Sequence, residues 1–438
     1  MVSEWPTHTL QDVCETITDG SHASPKDFPG GLPMASVKDM TRWGIEVKLC
    51  RTIAPCDFED LVRNGCQPQF GDVLIAKDGA TCLDTVCEYK QSDKIVLLSS
   101  IAILRPSKRL HSGYLRYYLD SSSTRKMLKA GFVSGSAIPR VVLKDFRRAP
   151  IPLPPFPIQR RIAHILGTLD DKIELNRRMN TTLEEMARAL FKSWFVDFDP
   201  VRAKQAGKQP AGMDAETAAL FPDAIEESEL GQVPRGWRVM TVGDIGNVIC
   251  GKTPTTSVSD YYGDDIPFIT IPDMHGNVFS AATARKLSHA GANSQSNKIL
   301  PPGSLCVSCI ATPGLVVITS EHSHTNQQIN SVIPHQKNET YFWYWVMTGL
   351  GAEIASSGSG GSVLVNLSKS RFEALKVIDP PKSLIRTYHN AMTPFFETIL
   401  ANTHQSRTLA TLRDTLLPKL LSGELPVPDA EKIVERTV

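Results

Sequence analysis

The chain repeats itself once, over a period of roughly 230 residues that is far too long for a solenoid or propeller repeat. Trp5, Thr9, Leu10, Asp12 and Val13 return at the same spacing as Trp237, Thr241, Val242, Asp244 and Ile245. Pro33-Met-Ala-Ser-Val-Lys-Asp-Met40 answers to Pro267-Phe-Ile-Thr-Ile-Pro-Asp-Met274, and the run Phe70 to Ala76 answers to Pro302 to Ser308. An aromatic segment follows in each copy, Tyr114-Leu-Arg-Tyr-Tyr-Leu119 and Tyr341-Phe-Trp-Tyr-Trp-Val346. Each copy then closes on a glycine/serine stretch (Ser134 to Ser136; Gly358 to Ser362) and a proline corner (Pro154-Pro155; Pro380-Pro381). Matches that keep one order imply a duplicated domain-plus-helix unit, and so a target with two similar halves.

The helices are written in the periodicity. From Pro157, Ile158, Ile162, Ile165, Leu166, Leu169 and Ile173 step by threes and fours, and the pattern resumes at Leu183, Leu190, Phe191, Trp194 and Phe195. Leu384, Tyr388, Met392, Ile399, Leu409, Leu416 and Leu420 do the same in the second copy, with Gly423 as a terminator. This predicts helices over 157–199 and 382–425. Each would span about forty residues, or roughly 60 Å. Helices of that length with matching seams pack most economically on each other as an antiparallel coiled coil. The globular parts, 1–156 and 231–381, read as mixed α/β (α+β), with strands near Asp72 to Ala76, Val96 to Leu104, Leu305 to Ile310 and Gly314 to Ile318. The stretch 200–230 reads as a linker with little fixed structure, and 426–438 as a tail. The alternative arrangement is two separate helical hairpins.

Composition excludes several classes. Apolar and charged fractions of 41% and 21% are those of an ordinary globular protein. No apolar run reaches the roughly 18 residues of a membrane span, and Met1 to Pro6 lacks a signal-peptide pattern. Nine cysteines without framework spacing suggest cytoplasmic thiols. The pair Cys306/Cys309 has no second pair nearby to complete a zinc site, so packing in a strand is expected. His322-Ser-His324 reads as a polar loop. Net charge is +1, but residues 105–148 hold eleven Lys/Arg against Asp120 and Asp145. Such a run is either a solvated face or a phosphate-binding footprint.

No catalytic constellation emerges: there is no P-loop, no His-Glu-x-x-His and no nucleophile elbow. Asp379-Pro-Pro-Lys382 lacks the aromatic of an amino-methyltransferase motif, and its counterpart Leu153-Pro-Pro-Phe156 lacks the acid, so both read as structural corners. Asp27 with Glu46 and Lys48 imitates a nuclease pattern, but the second copy has neither charge near Val278 to Ser280.

Against this background, the run Ile162 to Asn180 and the run Leu183 to Pro200 resemble the central helix of type I restriction-modification specificity subunits. Ser228-Glu-Leu-Gly231 with Pro234-Arg-Gly-Trp237 is similar to their re-entry into a second recognition domain. Leu412 to Leu425 is similar to their C-terminal helix end. The resemblance spans the chain, specific in the helices and only in outline in the domains. It implies two target recognition domains related by a pseudo-twofold repeat, each reading half of a bipartite asymmetric double-stranded DNA site. The paired helices would act as a ruler for the spacer. It further implies docking of two modification subunits, carrying S-adenosylmethionine and methylating adenine, and of two restriction subunits using ATP and Mg. This chain would then bind no cofactor or metal, catalyse nothing, and work in the prokaryotic cytoplasm.

Base reading needs polar side chains at loop tips. The candidates are Ser36, Lys38, Lys77, Thr81, Ser134, Ser136, Arg140 and Lys144 in the first copy. In the second they are Lys252, Thr253, Thr255, Thr270, Thr312, Asn326, Gln327, Gln328, Ser362, Asn366 and Lys369. Asp39 and Asp273 are alternatively turn caps. Partner docking is expected near Asn176, Asn180, Trp194 and Phe195, the last two of which could equally be core. Two other classes stay open. A standalone DNA-modifying or DNA-cleaving enzyme would act when purified alone, and a scaffold that binds no nucleic acid would survive loss of the basic run at 105–148.

Overall fold

The structure, a computed structural model, describes residues 5–134, 139–357 and 367–437. It divides into two compact units, Met1–Leu175 with Ser406–Val438, and Asn176–Gln405. The long helices are Phe156–Phe195 and Lys382–Ser422, and each contributes residues to both units.

In the first unit, an antiparallel sheet has the order Cys14–Asp19, Ile101–Pro106, Val73–Ala76, Val86–Glu88. Val73, Leu74, Ile75, Ile101, Ile103 and Leu104 are fully buried, as expected for a sheet covered on both faces. A smaller sheet pairs Asp27–Ala35 with Arg51–Ile53 and, in parallel, with Val96–Leu97. The expected strand from Val96 to Leu104 is therefore two strands in different sheets. Thr7–Thr9 pairs with Pro150–Pro152 and brings the proline corner back to the start of the domain.

The second unit repeats this plan strand by strand. Gly246–Cys250, Ile329–Pro334, Leu305–Ser308 and Val316–Thr319 take the same order, with Phe279–Ser280 added at the edge. Ile266–Ile269 pairs in parallel with His324–Thr325 just as Met34 and Ala35 pair with Val96 and Leu97. Arg238–Thr241 pairs with Lys376–Asp379. Even the local capping is duplicated. Asp12 and Asp244 close capping boxes on Thr9 and Thr241, and Asp39 and Asp273 do so on Ser36 and Thr270. The recurring Thr and Asp of the sequence repeat are thus turn-forming pairs.

Within the second unit the two long helices run antiparallel. Asn176 donates to Gln405 Oε1 at 2.8 Å, Asn402 donates to Asn180 Oδ1 at 2.9 Å, and Tyr388 donates to the Ala187 carbonyl at 2.9 Å. Polar side chains inside a helix seam fix register at some cost in stability. Asn180→Ala, which strips the acceptor from Asn402, is expected to lower stability by about 1–3 kcal/mol. Asn180→Leu with Asn402→Leu should recover most of that loss in a denaturant titration, since an apolar pair leaves nothing unpaired. A double variant as unstable as the single one would contradict this account.

Two expectations are corrected. Residues 200–230 are ordered: helices Asp199–Gln205 and Ala215–Ala219 and the strand Ile225–Ser228, paired with Gly231–Pro234 just beyond, occupy them. Val201, Phe221 and Val233 are buried, and Phe221 meets Trp194 edge-on at 5.3 Å. The helix stops at Phe195, and Phe198 takes a left-handed conformation (φ 56°) at the turn into the next helix. The tail is also built in, because helix Val427–Glu435 buries Val427, Ala430 and Val434 in the first unit's core.

Candidate nucleic-acid interface

In each unit, three chain segments far apart in sequence converge on one end of the main sheet. In the first, Gly20 N–H donates to the Ile101 carbonyl (3.2 Å) and Ser21 N–H to Leu97 (2.7 Å). Lys77 N–H reaches Ser100 O (2.9 Å), Val141 N–H reaches Lys77 O (2.9 Å) and Gly79 N–H reaches Pro139 O (3.0 Å). The turns after residues 20, 77 and 139 therefore share a surface. Gly20 is required there, because a Cβ would lie 2.1 Å from the Leu97 carbonyl oxygen.

The second unit builds the same convergence. Gly251 N–H donates to Ile329 O (3.0 Å), Lys252 N–H to Thr325 O (2.9 Å), Cys309 N–H to Gln328 O (2.9 Å) and Leu367 N–H to Cys309 O (3.2 Å). A Cβ on Gly251 would fall 2.1 Å from the Asn326 carbonyl oxygen. Thr253 donates to Gln327 Oε1 (2.7 Å), Asn326 donates to Gln328 Oε1 (3.0 Å), and Gln295 holds the Lys252 carbonyl (2.8 Å). Five candidates, Lys252, Thr253, Asn326, Gln327 and Gln328, thus form one polar surface.

The individual candidates divide clearly. Lys38, Thr81, Arg140, Lys144, Lys252, Thr255, Thr312, Gln327 and Lys369 are exposed, and Ser36, Thr253, Thr270, Asn326 and Gln328 are half-buried. Ser36 and Thr270 are engaged as caps, and Lys369 pairs with Glu373 at 3.3 Å. The Ser134 side chain, Ser136, Ser362 and Asn366 lie outside the described residues. Lys77 is corrected: it is buried, with its ammonium 3.2 Å from Asp19 and 3.4 Å from Asp78, so it organises the turn from beneath. Asp78, which the sequence did not single out, also accepts from Arg140 Nε at 2.8 Å and orients that exposed guanidinium.

The docking candidates are corrected too. Asn176 is buried and Asn180 half-buried, both engaged within the helix seam. Trp194 and Phe195 are core, packed on Tyr388 at 6.0 and 5.4 Å.

The basic run is less of a footprint than its count suggests. Arg105, Arg116, Lys129, Arg140 and Arg148 pair with Asp72, Asp170, Asp84, Asp78 and Asp145. Four of those five acids lie outside 105–148, so folding imports countercharge. Cys306 and Cys309 are buried with the β-sheet, and burial pushes their thiols up to about 12 and about 11, which fits packing. His322 is exposed as expected, but His324 is a fully buried strand residue rather than part of a polar loop.

Residues 2–185 and 234–408 match the family described as the type I restriction modification DNA specificity domain. The HindI type I restriction enzyme specificity subunit of Haemophilus influenzae is 38% identical over 375 residues, covering 76% of this chain and 82% of that one. The MjaIX specificity subunit of Methanocaldococcus jannaschii is 27% identical over 330 residues, covering 74% and 71%. The crystal structure of a type I restriction-modification S subunit from M. genitalium aligns with a TM-score of 0.57 over 95% of this chain and 96% of that one, a likeness of fold at 15% identity. Both strand plans and most of each long helix fall within the two matched ranges, and the chain belongs to the type I restriction-modification DNA specificity family.

Proposed function

We propose that each unit reads one half of a bipartite, asymmetric DNA site and that the paired helices set the unspecified spacer between the halves. The observation that carries this reading is the duplicated convergence of polar turns at the end of each sheet. Loops on a rigid scaffold are the usual place for recognition residues, and two readers of one duplex need a fixed separation. The chain supplies specificity and no catalysis. Two modification subunits would bring S-adenosylmethionine and methylate adenine, and two restriction subunits would bring ATP- and Mg-dependent translocation and cleavage, in the prokaryotic cytoplasm.

The docking surface for a modification subunit is better placed on the outward face of the first long helix than at Trp194. Met179 and Met186 are 41% and 52% exposed there. They stand seven residues apart, which puts them on one helical face, and exposed methionines suit adaptable interfaces.

Adenine methylation mapped by single-molecule sequencing, in a naïve host expressing this chain with its modification subunit, tests the reading. A new bipartite motif that disappears without this chain is expected, and its absence from a stable complex would refute the reading. Lys144→Ala and Lys252→Ala should each reduce the salt dependence of DNA binding by about one unit of slope, measured from 50 to 200 mM salt. Unchanged slopes would remove those lysines from the interface.

A further inference from the structure

In the first unit, a single carboxylate ties together three elements. Asp170, on the first long helix, is 3% exposed. Its Oδ1 accepts from Arg413 Nη1 on the second long helix at 2.7 Å. Its Oδ2 accepts from Arg116 Nη1 and, at 2.8 Å, from the Tyr117 hydroxyl. Arg116 and Tyr117 belong to helix Ser112–Asp120 of the globular domain. Arg116 extends the contact to the Arg42 carbonyl (3.5 Å), and Arg42 pairs with Asp120 on the same domain helix. Arg116 and Arg413 are 6% and 5% exposed. Burial works against the ionised Asp170, and Arg116, Arg42 and Arg413 outweigh it, holding the carboxyl below its ordinary range.

The second unit meets the same structural demand differently. Phe396 stands fifteen residues past Pro381, as Asp170 does past Pro155, and Trp343 stands two past Tyr341, as Arg116 does past Tyr114. Phe396 is fully buried, stacked on Tyr341 (4.2 Å, 17° between planes) and edge-on to Tyr344 (5.7 Å). At this equivalent position the second domain meets its long helix through rings and the first through directional charged hydrogen bonds, while the second domain's own buried carboxylate, Glu339, pairs with Lys382 and Arg386 at the start of that helix. A buried ion pair is a poor source of net stability, since apolar replacements are often as stable, but its geometry is restrictive.

We propose that Asp170 is a positioning residue for specificity: through Arg116, Tyr117 and Arg413 it fixes the angle at which the first recognition domain sits on its helix pair, and thereby the spacer length that is methylated. This rests on the two-half-site reading above. The carboxylate touches no base-reading turn, so both half-site sequences should be untouched by its loss.

The test uses the full chain in complex with its modification subunit, methylating a plasmid library in which the spacer of the wild-type motif is varied by one and two base pairs. Asp170→Asn is expected to keep both half-sites and to lower the preference for the parental spacer over its neighbours at least tenfold. Because Asp170→Asn leaves the buried Arg116 guanidinium without its carboxylate, with Arg413 keeping only Asp414 (2.7 Å), and can fail to fold, the variant Arg116→Met/Asp170→Leu/Arg413→Leu removes the charges together. It should melt near the wild type yet show the same relaxed spacing. Retention of the parental preference by a folded triple variant overturns the proposal, as does an equal loss of methylation at every spacer. A wild-type chain giving no bipartite motif overturns the two-half-site reading and the proposal together, whereas the other two results overturn the proposal alone.

Discussion

Replacing Phe396 with alanine should destabilise the second unit by about 3–5 kcal/mol, the range for deleting a fully buried aromatic side chain. Three features put this site at the upper end. Phe396 is completely buried. It stacks on Tyr341 and lies within ring-contact distance of Tyr344, Trp345 and Phe279, at 5.7, 6.4 and 6.3 Å. Its neighbours are rings, which cannot collapse into the vacated space as aliphatic chains can. For a unit of this size that cost corresponds to a fall in melting temperature of about 10 °C, read by calorimetry on the full chain. Phe396→Leu should lose less than half as much. If Phe396→Ala melted within 2–3 °C of the wild type, the ring cluster would not be what seats this domain on its helix.

The corresponding loss at Asp170 differs in kind. Removing one member of a buried ionic network leaves other charges unpaired, while removing all of them together is nearly neutral. At the equivalent positions Asp170 and Phe396 the two halves of this duplicated protein thus use opposite chemistry, and variants there should fail differently.

How much of this was legible in the sequence depends on the range of the interaction. The long helices were readable because Ile162, Ile165, Leu166 and Leu169 carry their own period, and the repeat was readable because Thr9/Asp12 and Thr241/Asp244 are local turn pairs. The ordered segment 200–230 was not, because its buried residues Val201, Ala218 and Phe221 are scattered without a period, and Phe221 is held by the ring of Trp194 on the long helix. Lys77 looked like a loop-tip DNA contact because Asp19, which pairs with its buried ammonium, is far away in the chain. Asn176 and Asn180 looked exposed for the same reason: Gln405 and Asn402, which satisfy them, lie more than two hundred residues on. The proposed base-reading end of each domain is a convergence of three remote turns, so the sequence supplied individual candidates but not their grouping.

Acidification should weaken the second unit, and the residue chiefly responsible is His389. Its ring is 9% exposed and stacks on Tyr341 at 4.4 Å with 9° between planes. Its Nδ1 accepts the Tyr341 backbone N–H at 3.3 Å, which only an unprotonated Nδ1 can do. Burial lowers its pKa from 6.5 to about 4. The unfolded chain therefore takes up a proton between pH 6.5 and pH 4 that the folded chain refuses, so stability is full above 6.5 and falls as pH drops toward 4. A shift of this size corresponds to about 2–3 kcal/mol across the window. His324 acts in the same direction, since burial lowers its pKa too and neither ring nitrogen has a protein partner among the described residues. Asp170 acts elsewhere on the scale: its depressed carboxyl keeps its contribution until pH falls below the ordinary value of 3.8. Denaturant unfolding followed from pH 7 to pH 4.5 should show a slope that His389→Gln flattens, because glutamine can still accept from the Tyr341 amide without titrating. If the slope survives that substitution unchanged, the acid sensitivity belongs to other groups.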